Sequence, residues 1–265
     1  MAGHMAAGSQ IKRSSTVLKA LRLLEEIGEH VNGLSLSEVT AIVDLDRTTT
    51  YRLLATLVDA GYLIRSEETK KYRLSYKLVS VARLLLASAG PDEIIRETLA
   101  KLSRQTHEAA NFSVLSGYQA VIRMVSKGSH LLSVDFKVGD RSDLHCTSIG
   151  KVLLAQQSER FIDEVLSRPL PKVASQTITD PAVLRVELAK IRERGYALDV
   201  LEFADDMCCV AAPVFGANGT LLGGINFAGP STRFGPKRRH ELAQILLKAT
   251  AELSQALHHE ALEQI

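Results

Sequence analysis

LSLSEVTAIVDLDRTTTYRLLATLVDAGYL, residues 34–63, reads as two short helices joined by a tight turn. Ser35 and Glu38 stand at capping-box spacing, each side chain placed to accept from the other's backbone N–H, so a helix starts there. Ala41, Ile42, Val43 and Leu45 form its apolar end and the turn. Asp46 then caps a second helix, its carboxylate accepting from N–H groups that have no partner within the helix. Leu53, Leu54, Leu57 and Val58 follow helical spacing and are expected to face inward. Gly61 is placed to supply the left-handed residue that ends the helix.

The second helix opens with Arg47, Thr48, Thr49, Thr50, Tyr51 and Arg52. A helix-turn-helix lays such a helix in the DNA major groove and reads base edges with its N-terminal residues. Arg47, Thr48 and Thr49 are the expected base contacts; Arg52 and the hydroxyls suit phosphates. A helical hairpin with its polar face turned to water would look the same over these residues alone. The next dozen residues separate the two readings. Residues 62–64 and 71–74 are short strand-like runs around the polar loop 65–70, a β-hairpin or wing directly after the second helix. Its Lys70, Lys71 and Arg73 are placed to meet phosphate.

Leu18-Lys19-Ala20-Leu21-Arg22-Leu23-Leu24, the helix of residues 46–63 and the wing together resemble the IclR family of bacterial transcription regulators. The resemblance covers nearly all of residues 12–260. It implies an α+β chain with a winged helix-turn-helix DNA-binding domain over residues 11–75 and a linker helix over 76–90. A GAF-like effector domain, an antiparallel sheet with flanking helices, is implied over 91–265.

At 265 residues the chain is long enough for two domains, and 46% hydrophobic residues suffice for their cores. No apolar run approaches the roughly 20 residues needed to cross a bilayer. Residues 1–10, MAGHMAAGSQ, lack the charged start and apolar stretch of a secretion signal; Gly3-His4-Met5 looks like a cloning remnant, and this tail is set aside. Net charge is only +2, but Arg65, Lys70, Lys71, Arg73, Lys77 and Arg83 against Glu67 and Glu68 concentrate positive charge around the wing. DNA affinity is therefore expected to be modest for one protomer and to depend on dimerisation. Cys146, Cys208 and Cys209 make an odd count with two adjacent, which is no disulfide framework and fits a reducing cytoplasm. No C-x-x-C or H-E-x-x-H spacing supports a zinc site, and no cofactor is called for.

Residues 14–29 place Val17, Leu18, Leu21, Leu24 and Ile27 on one helical face, packing across the helix-turn-helix. Residues 76–88 form an apolar helix (Leu78, Val81, Leu84 and Leu85 near one side) that ends at Ser88-Ala89-Gly90-Pro91, a break signal. It reads as a core helix of the first domain or as a linker; the resemblance favours a linker pairing with its twin in a dimer. A second long helix comes next, over 92–107. Then the period turns alternating, with strands expected at 111–116, 120–126 and 131–134. Helices return at 147–156 and 159–167, and a third starts at Asp180-Pro181 and runs to Gly195. Strands are expected again at 196–200, 207–215 and 220–227, the last two joined at Ala217-Asn218-Gly219, a hairpin signal. The last helix covers about 236–262.

DLHCTSIGKVLLA (143–155), GYALDVLEFADDMCCVAAPVF (195–215) and GGINFAGPSTRF (223–234) carry the second half of the resemblance. From the residues themselves, Gly150 sits at a helix opening after His145, Cys146, Thr147 and Ser148, and free N–H groups at a helix start attract carboxylates. The resemblance implies that Gly150, Asp199, Met207, Cys209, Asn226 and Ala228 line an effector pocket. Family members that bind small carboxylates commonly have serines at the last two positions. Here Asn226 and Ala228 replace them, which leans toward a more apolar, aromatic organic acid. Bland readings stand beside these. Cys209 reads equally as a small buried hydrophobe, Asp199 as the tie of a turn, and His145 as a satisfied core residue rather than a ligand contact. Residues 202–206 read as solvated loop, and Arg233, Lys237, Arg238 and Arg239 as surface.

The leading expectation is a non-enzymatic regulator that binds a palindromic operator as a homodimer or a tetramer and responds to a small organic acid. The competing class is an enzyme with Cys209 or Cys146 as nucleophile beside His145; nothing local fixes the base and oxyanion hole such chemistry needs. That reading also leaves the first 75 residues without a role. A sensing or oligomerisation module that keeps the winged part without DNA specificity is the third option.

Overall fold

The computed structural model describes residues 14–43, 45–86, 90–216 and 219–263. Contacts divide the chain into two units, Met1–Ser88 and Ala89–Ile265. Leu84 and Leu85 of the expected linker stripe, Ala217-Asn218 of the expected turn and the 1–10 tail fall outside the described residues or side chains.

The first unit holds α1 (Ser15–Gly28), α2 (Leu36–Val43), α3 (Arg47–Asp59), β1 (Leu63–Arg65), β2 (Tyr72–Leu74) and α4 (Lys77–Leu86). Local chemistry sets its boundaries. Ser35 N–H donates to Glu38 Oε2 at 2.7 Å while Glu38 N–H reaches Ser35 Oγ at 3.4 Å, the reciprocal cap at the head of α2. Asp46 Oδ1 accepts from Thr49 N–H at 2.8 Å and starts α3. Gly61, at φ 76°, turns the chain from α3 into the wing. β1 and β2 pair antiparallel from Leu63↔Leu74 to Arg65↔Tyr72, and a bridge from Leu34 to Tyr72 ties the wing to the head of the helix-turn-helix. Leu23, Ile27, Val39, Val43, Leu54, Leu57, Leu63 and Tyr72 close one core.

Two details of this unit differ from expectation. α1 packs through Leu23 and Ile27, with Ala20 and Leu24 alongside, whereas Val17, Leu18 and Leu21 remain at least half exposed. The apolar side chains of α1 are wider than one stripe, and the core takes the 20–23–24–27 edge of them. Thr50 points inward: it is fully buried and its hydroxyl donates to Asp46 O at 3.0 Å. Position 50 is three residues before Leu53, so it shares the packing face of α3.

The second unit is a six-stranded antiparallel sheet in the order β5-β4-β3-β8-β7-β6. Its strands are β3 (Ala109–Ser116), β4 (Gln119–Ser126), β5 (Arg141–Asp143), β6 (Ala197–Val200), β7 (Met207–Phe215) and β8 (Leu221–Pro230). Helices α5 (Gly90–Thr106) and α9 (Pro236–Glu263) cover one face; α6 (Ser148–Ala155) lies on the other, backed by α7 (Glu159–Leu166) and α8 (Pro181–Arg194). β7 shows why its sequence is apolar without alternation. Cys208, Val210, Ala212 and Val214 join the core under α5 and α9, while Ala211 faces α6, so both faces of the strand are covered. Gly195, at φ 81°, ends α8 as its left-handed cap.

The strand expected at 131–134 is absent. Leu131 and Leu132 are exposed, and the free edge of β4 is taken by Arg141–Asp143, paired as Ala120↔Ser142 and Val121↔Arg141. Residues 202–206 are not simply a solvated loop either. Glu202 is buried against Lys151, and Phe203 packs beside Met207 and Cys209. Arg233 also leaves the surface role: it grips the buried Glu108 carboxylate through two nitrogens, at 3.0 and 2.7 Å. Arg238 donates to Thr106 O and Arg239 to Phe234 O, so these two tie α9 down as well.

Candidate nucleic-acid interface and ligand cavity

The outer face of α3 presents Arg47, Thr48, Tyr51 and Arg52 to solvent, with Thr49 half-buried beside them. Both arginines are free of ion pairs among the described residues, so neither guanidinium would have to leave a protein carboxylate to meet DNA. The wing differs. Lys70 pairs with Glu67 at 2.9 Å and Lys71 stands 4.0 Å from Glu38, whereas Arg73 is exposed. Surface pairs of this kind are worth at most about 1 kcal/mol, so a phosphate can displace them. Thr50 alone among the expected contacts is fully buried, on the packing face of α3.

In the second unit a cavity of about 200 Å³ opens between the start of α6, the sheet and two loops. Pockets for drug-sized molecules run from about 300 Å³ upward; this one suits a single ring or a short chain. Ser113 and Asn226 form part of its floor, Thr147, Ser148 and Ile149 the α6 side, and Phe136 and Phe203 an apolar cover beside Met207 and Cys209. The first N–H groups of a helix have no partner within it. At α6 the Thr147 hydroxyl accepts from Gly150 N–H at 2.9 Å, capping the end that the cavity meets. The Ser148 and Ser113 hydroxyls are both fully buried and have no hydrogen-bond partner among the described residues.

Met207, Cys209 and Asn226 thus lie on the cavity. Ala228 pairs with Cys209 across β7 and β8 and packs in the same small cluster, one step behind the lining. Gly150 contributes close approach rather than lining: a Cβ there would stand 2.7 Å from Asp143 O and from Leu144 Cα. His145 faces elsewhere, its Nε2 2.9 Å from Pro171 O, and it lines a separate, wider cleft of about 540 Å³. Asp199 is buried behind the cover loop, where Oδ1 accepts from Glu202 N–H at 2.8 Å and Phe203 N–H at 3.4 Å. It does tie a turn, and that turn carries Phe203 onto the cavity. Sequence reasoning missed Ser113, Phe136 and Lys151. Lys151 is 1% exposed and puts its ammonium 2.5 Å from both Glu202 oxygens.

Burial dominates the electrostatics here. It pushes Asp199 up to about 6, against the two backbone N–H bonds and Lys151, and Glu202 up to about 7, against Lys151. The thiols move the same way: burial, with Asp143 and Asp199 nearby, raises Cys146 to about 12, and burial with Asp199 raises Cys209 well above its ordinary value. A nucleophilic cysteine needs the opposite shift.

Asp199 yields a pH prediction. Its carboxyl titrates near 3.8 when unfolded and near 6 when folded, so between those values the folded chain holds the extra proton and loses stability as pH rises. The melting temperature of wild type is expected to fall more steeply from about pH 4 to about pH 6.5 than that of Asp199→Asn. Equal slopes in a thermal-unfolding series would show that Asp199 is not the group titrating.

Comparison with known proteins completes the picture. Residues 16–67 match the IclR helix-turn-helix domain and residues 86–255 the family model for the bacterial transcriptional regulator IclR C-terminal domain. The chain belongs to the IclR family. Among curated relatives of this IclR-family regulator, the HTH-type transcriptional regulator BhcR of Paracoccus denitrificans is 31% identical over 237 residues, covering 89% of this chain and 85% of that one. A crystal structure of an IclR transcriptional regulator from a Silicibacter species is 30% identical, with a TM-score of 0.76, covering 92% of this chain and 96% of that one. An IclR homolog from Microbacterium hydrocarbonoxydans, crystallised with 4-hydroxybenzoate, shares the fold with a TM-score of 0.77 at 23% identity, over 92% and 99% of the two chains. The family assignment makes the chain a DNA-binding transcriptional regulator that carries the IclR C-terminal domain. No described helix is long and apolar enough to cross a membrane.

Proposed function

We propose that this regulator binds a small organic acid of apolar, aromatic character in the cavity beside α6, and that occupancy changes its hold on operator DNA. The observation that carries the reading is the lining itself: Phe136 and Phe203 on one side, and on the other a capped helix start with the unpartnered Ser148 hydroxyl, beside Asp140 and the cationic Arg141. A ring packs against the first; a carboxylate is attracted to the second. The 4-hydroxybenzoate complex of the Microbacterium homolog supports the ligand class, since the fold is shared. The replacement of two family serines by Asn226 and Ala228 leans the same way.

DNA is engaged by α3 in the major groove, through Arg47, Thr48 and Thr49 at bases and Arg52 with Arg73, Lys70 and Lys71 at phosphates. The assembly is a homodimer, or a pair of dimers, on a palindromic site. The exposed apolar Val17, Leu18 and Leu21 on α1 support self-association of the first unit. A ligand shifts operator affinity only if it binds two states of the assembly unequally, and α4, which joins the two units in sequence, is the linker through which that bias would pass.

The test is a thermal-shift screen of the full chain against aromatic and aliphatic acids, followed by operator titration with each hit. An acid at about one hundred times its Kd adds about 2.7 kcal/mol of stability, which moves the melting temperature by roughly 5–10 °C in a domain of this size. A hit is expected to change operator affinity by about fivefold or more. A screen in which no acid moves the melting temperature would refute the reading.

A further inference from the structure

We infer that the ligand of the α6 cavity is bifunctional: besides its carboxylate it carries a hydroxyl or similar hydrogen-bonding group, read by Ser113 on the sheet floor. The inference rests on the proposal that the cavity binds an acid and adds to it the second half of the ligand.

Ser113 is fully buried on β3, its hydroxyl has no partner among the described residues, and it lines the cavity. Its cross-strand neighbours are Ile122 on β4 and Gly224 on β8, neither of which offers a polar side chain. The register then sets two more polar groups on the same face. Asn111 stands two residues before Ser113 and directly across from Asn226, which also lines the cavity. Both side-chain amide atoms of Asn111 are buried without partners among the described residues. An apolar ring resting on this floor would leave the Ser113 hydroxyl unsatisfied, and buried polar groups are rarely left so.

The α6 side supplies the opposite end. A Cβ on Gly224 would stand 2.7 Å from Ile149 Cδ1, so Ile149 sits directly over the strand position facing Ser113. Ser148, next to Ile149, carries the other unpartnered hydroxyl at the helix start. Floor and helix therefore present separate hydrogen-bonding groups across one small space. A molecule with a carboxylate at one end and a hydroxyl at the other satisfies both; a plain apolar acid satisfies one. Sites built to bond a hydroxyl reject the analogue that lacks it, because the partner in the protein is left unpaired.

The experiment is isothermal titration of the full-length protein with benzoate, 3-hydroxybenzoate and 4-hydroxybenzoate. Wild type is expected to bind at least one hydroxylated acid about tenfold or more tightly than benzoate. Ser113→Ala should bring that acid to within about twofold of benzoate. The ligand-free Ser113→Ala protein should melt no lower than wild type, because it removes a buried hydroxyl that has no hydrogen-bond partner among the described residues at the loss of a single small atom. Equal affinity of wild type for all three acids, or a preference that survives Ser113→Ala, overturns the inference and leaves the acid-binding cavity standing. If wild type binds none of the three, the cavity reading and this inference fall together.

Discussion

Replacing Lys151 with alanine is expected to cost the folded protein about 3–5 kcal/mol at about pH 8, because Glu202 must then either stay ionised and buried without its counter-charge or take up a proton it does not hold when unfolded. For a domain of this size that is a fall in melting temperature of roughly 6–20 °C. The geometry explains why the loss is large. The ammonium is 2.5 Å from both Glu202 oxygens, and Glu202 makes no other side-chain hydrogen bond among the described residues. Its backbone is held too: Thr177 donates to Glu202 O at 2.6 Å, and Glu202 N–H donates to Asp199. The unpaired carboxylate cannot swing to water without dragging this turn, and Phe203 beside it, off the cavity. Removing both charges is a different experiment. Lys151→Met with Glu202→Leu removes the desolvation penalty together with the attraction, and such swaps of a buried pair are often neutral or stabilising. The double variant is expected to melt within a few degrees of wild type. A double variant as unstable as Lys151→Ala alone would mean that the site depends on the shape of these side chains and not on the pairing of charge. Calorimetry on the three proteins decides it.

The Lys151–Glu202 pair also marks where the sequence stops being legible. Capping chemistry is written in a few adjacent residues, so Ser35 with Glu38, Asp46, Asp180-Pro181 and Gly195 can be read directly, and with them the ends of α2, α3 and α8. β7 and β8 are equally plain, because a central strand covered on both faces must be apolar throughout. Glu202-Phe203-Ala204-Asp205-Asp206 deceives for the converse reason. Three acids in five residues look solvated until a lysine 51 positions away, on another element, is brought against one of them. Leu131–Leu132 and Arg141–Asp143 deceive in opposite directions. An apolar pair with nowhere to pair stays exposed, while Arg-Ser-Asp becomes a strand through its backbone bonds to β4. In the cavity the family resemblance pointed to Met207, Cys209 and Asn226, but Ser113 carries no local signal. A serine in a strand of alternating residues is ordinary; only the loss of every partner on folding sets it apart.

The second large effect is expected at the other end of the chain. Arg47→Ala should weaken operator binding by about 1–3 kcal/mol for each α3 inserted, and by about 2–6 kcal/mol when two copies read a palindrome. That is roughly thirtyfold to twenty-thousandfold in Kd. The guanidinium is exposed at the first turn of α3, where side chains reach base edges, and it has no ion pair among the described residues to give up. Arg52, one turn further on, is suited to phosphate. Arg52→Ala should therefore weaken binding to all duplexes alike and reduce the dependence of log K on log salt by about 1 for each phosphate no longer neutralised. Arg47→Ala should instead erode discrimination at particular base pairs. Thr50→Val supplies the internal control. That hydroxyl is spent on Asp46 O inside the unit, so operator affinity is expected to stay within about twofold even if the melting temperature drops. The titrations use duplexes that the wild-type protein selects from a random pool, with fluorescence anisotropy read at two salt concentrations. Should Arg47→Ala bind those duplexes as tightly as wild type, the outer face of α3 is not the surface that reads DNA. If Thr50→Val loses affinity as Arg47→Ala does, the two faces of the helix have been assigned the wrong way round.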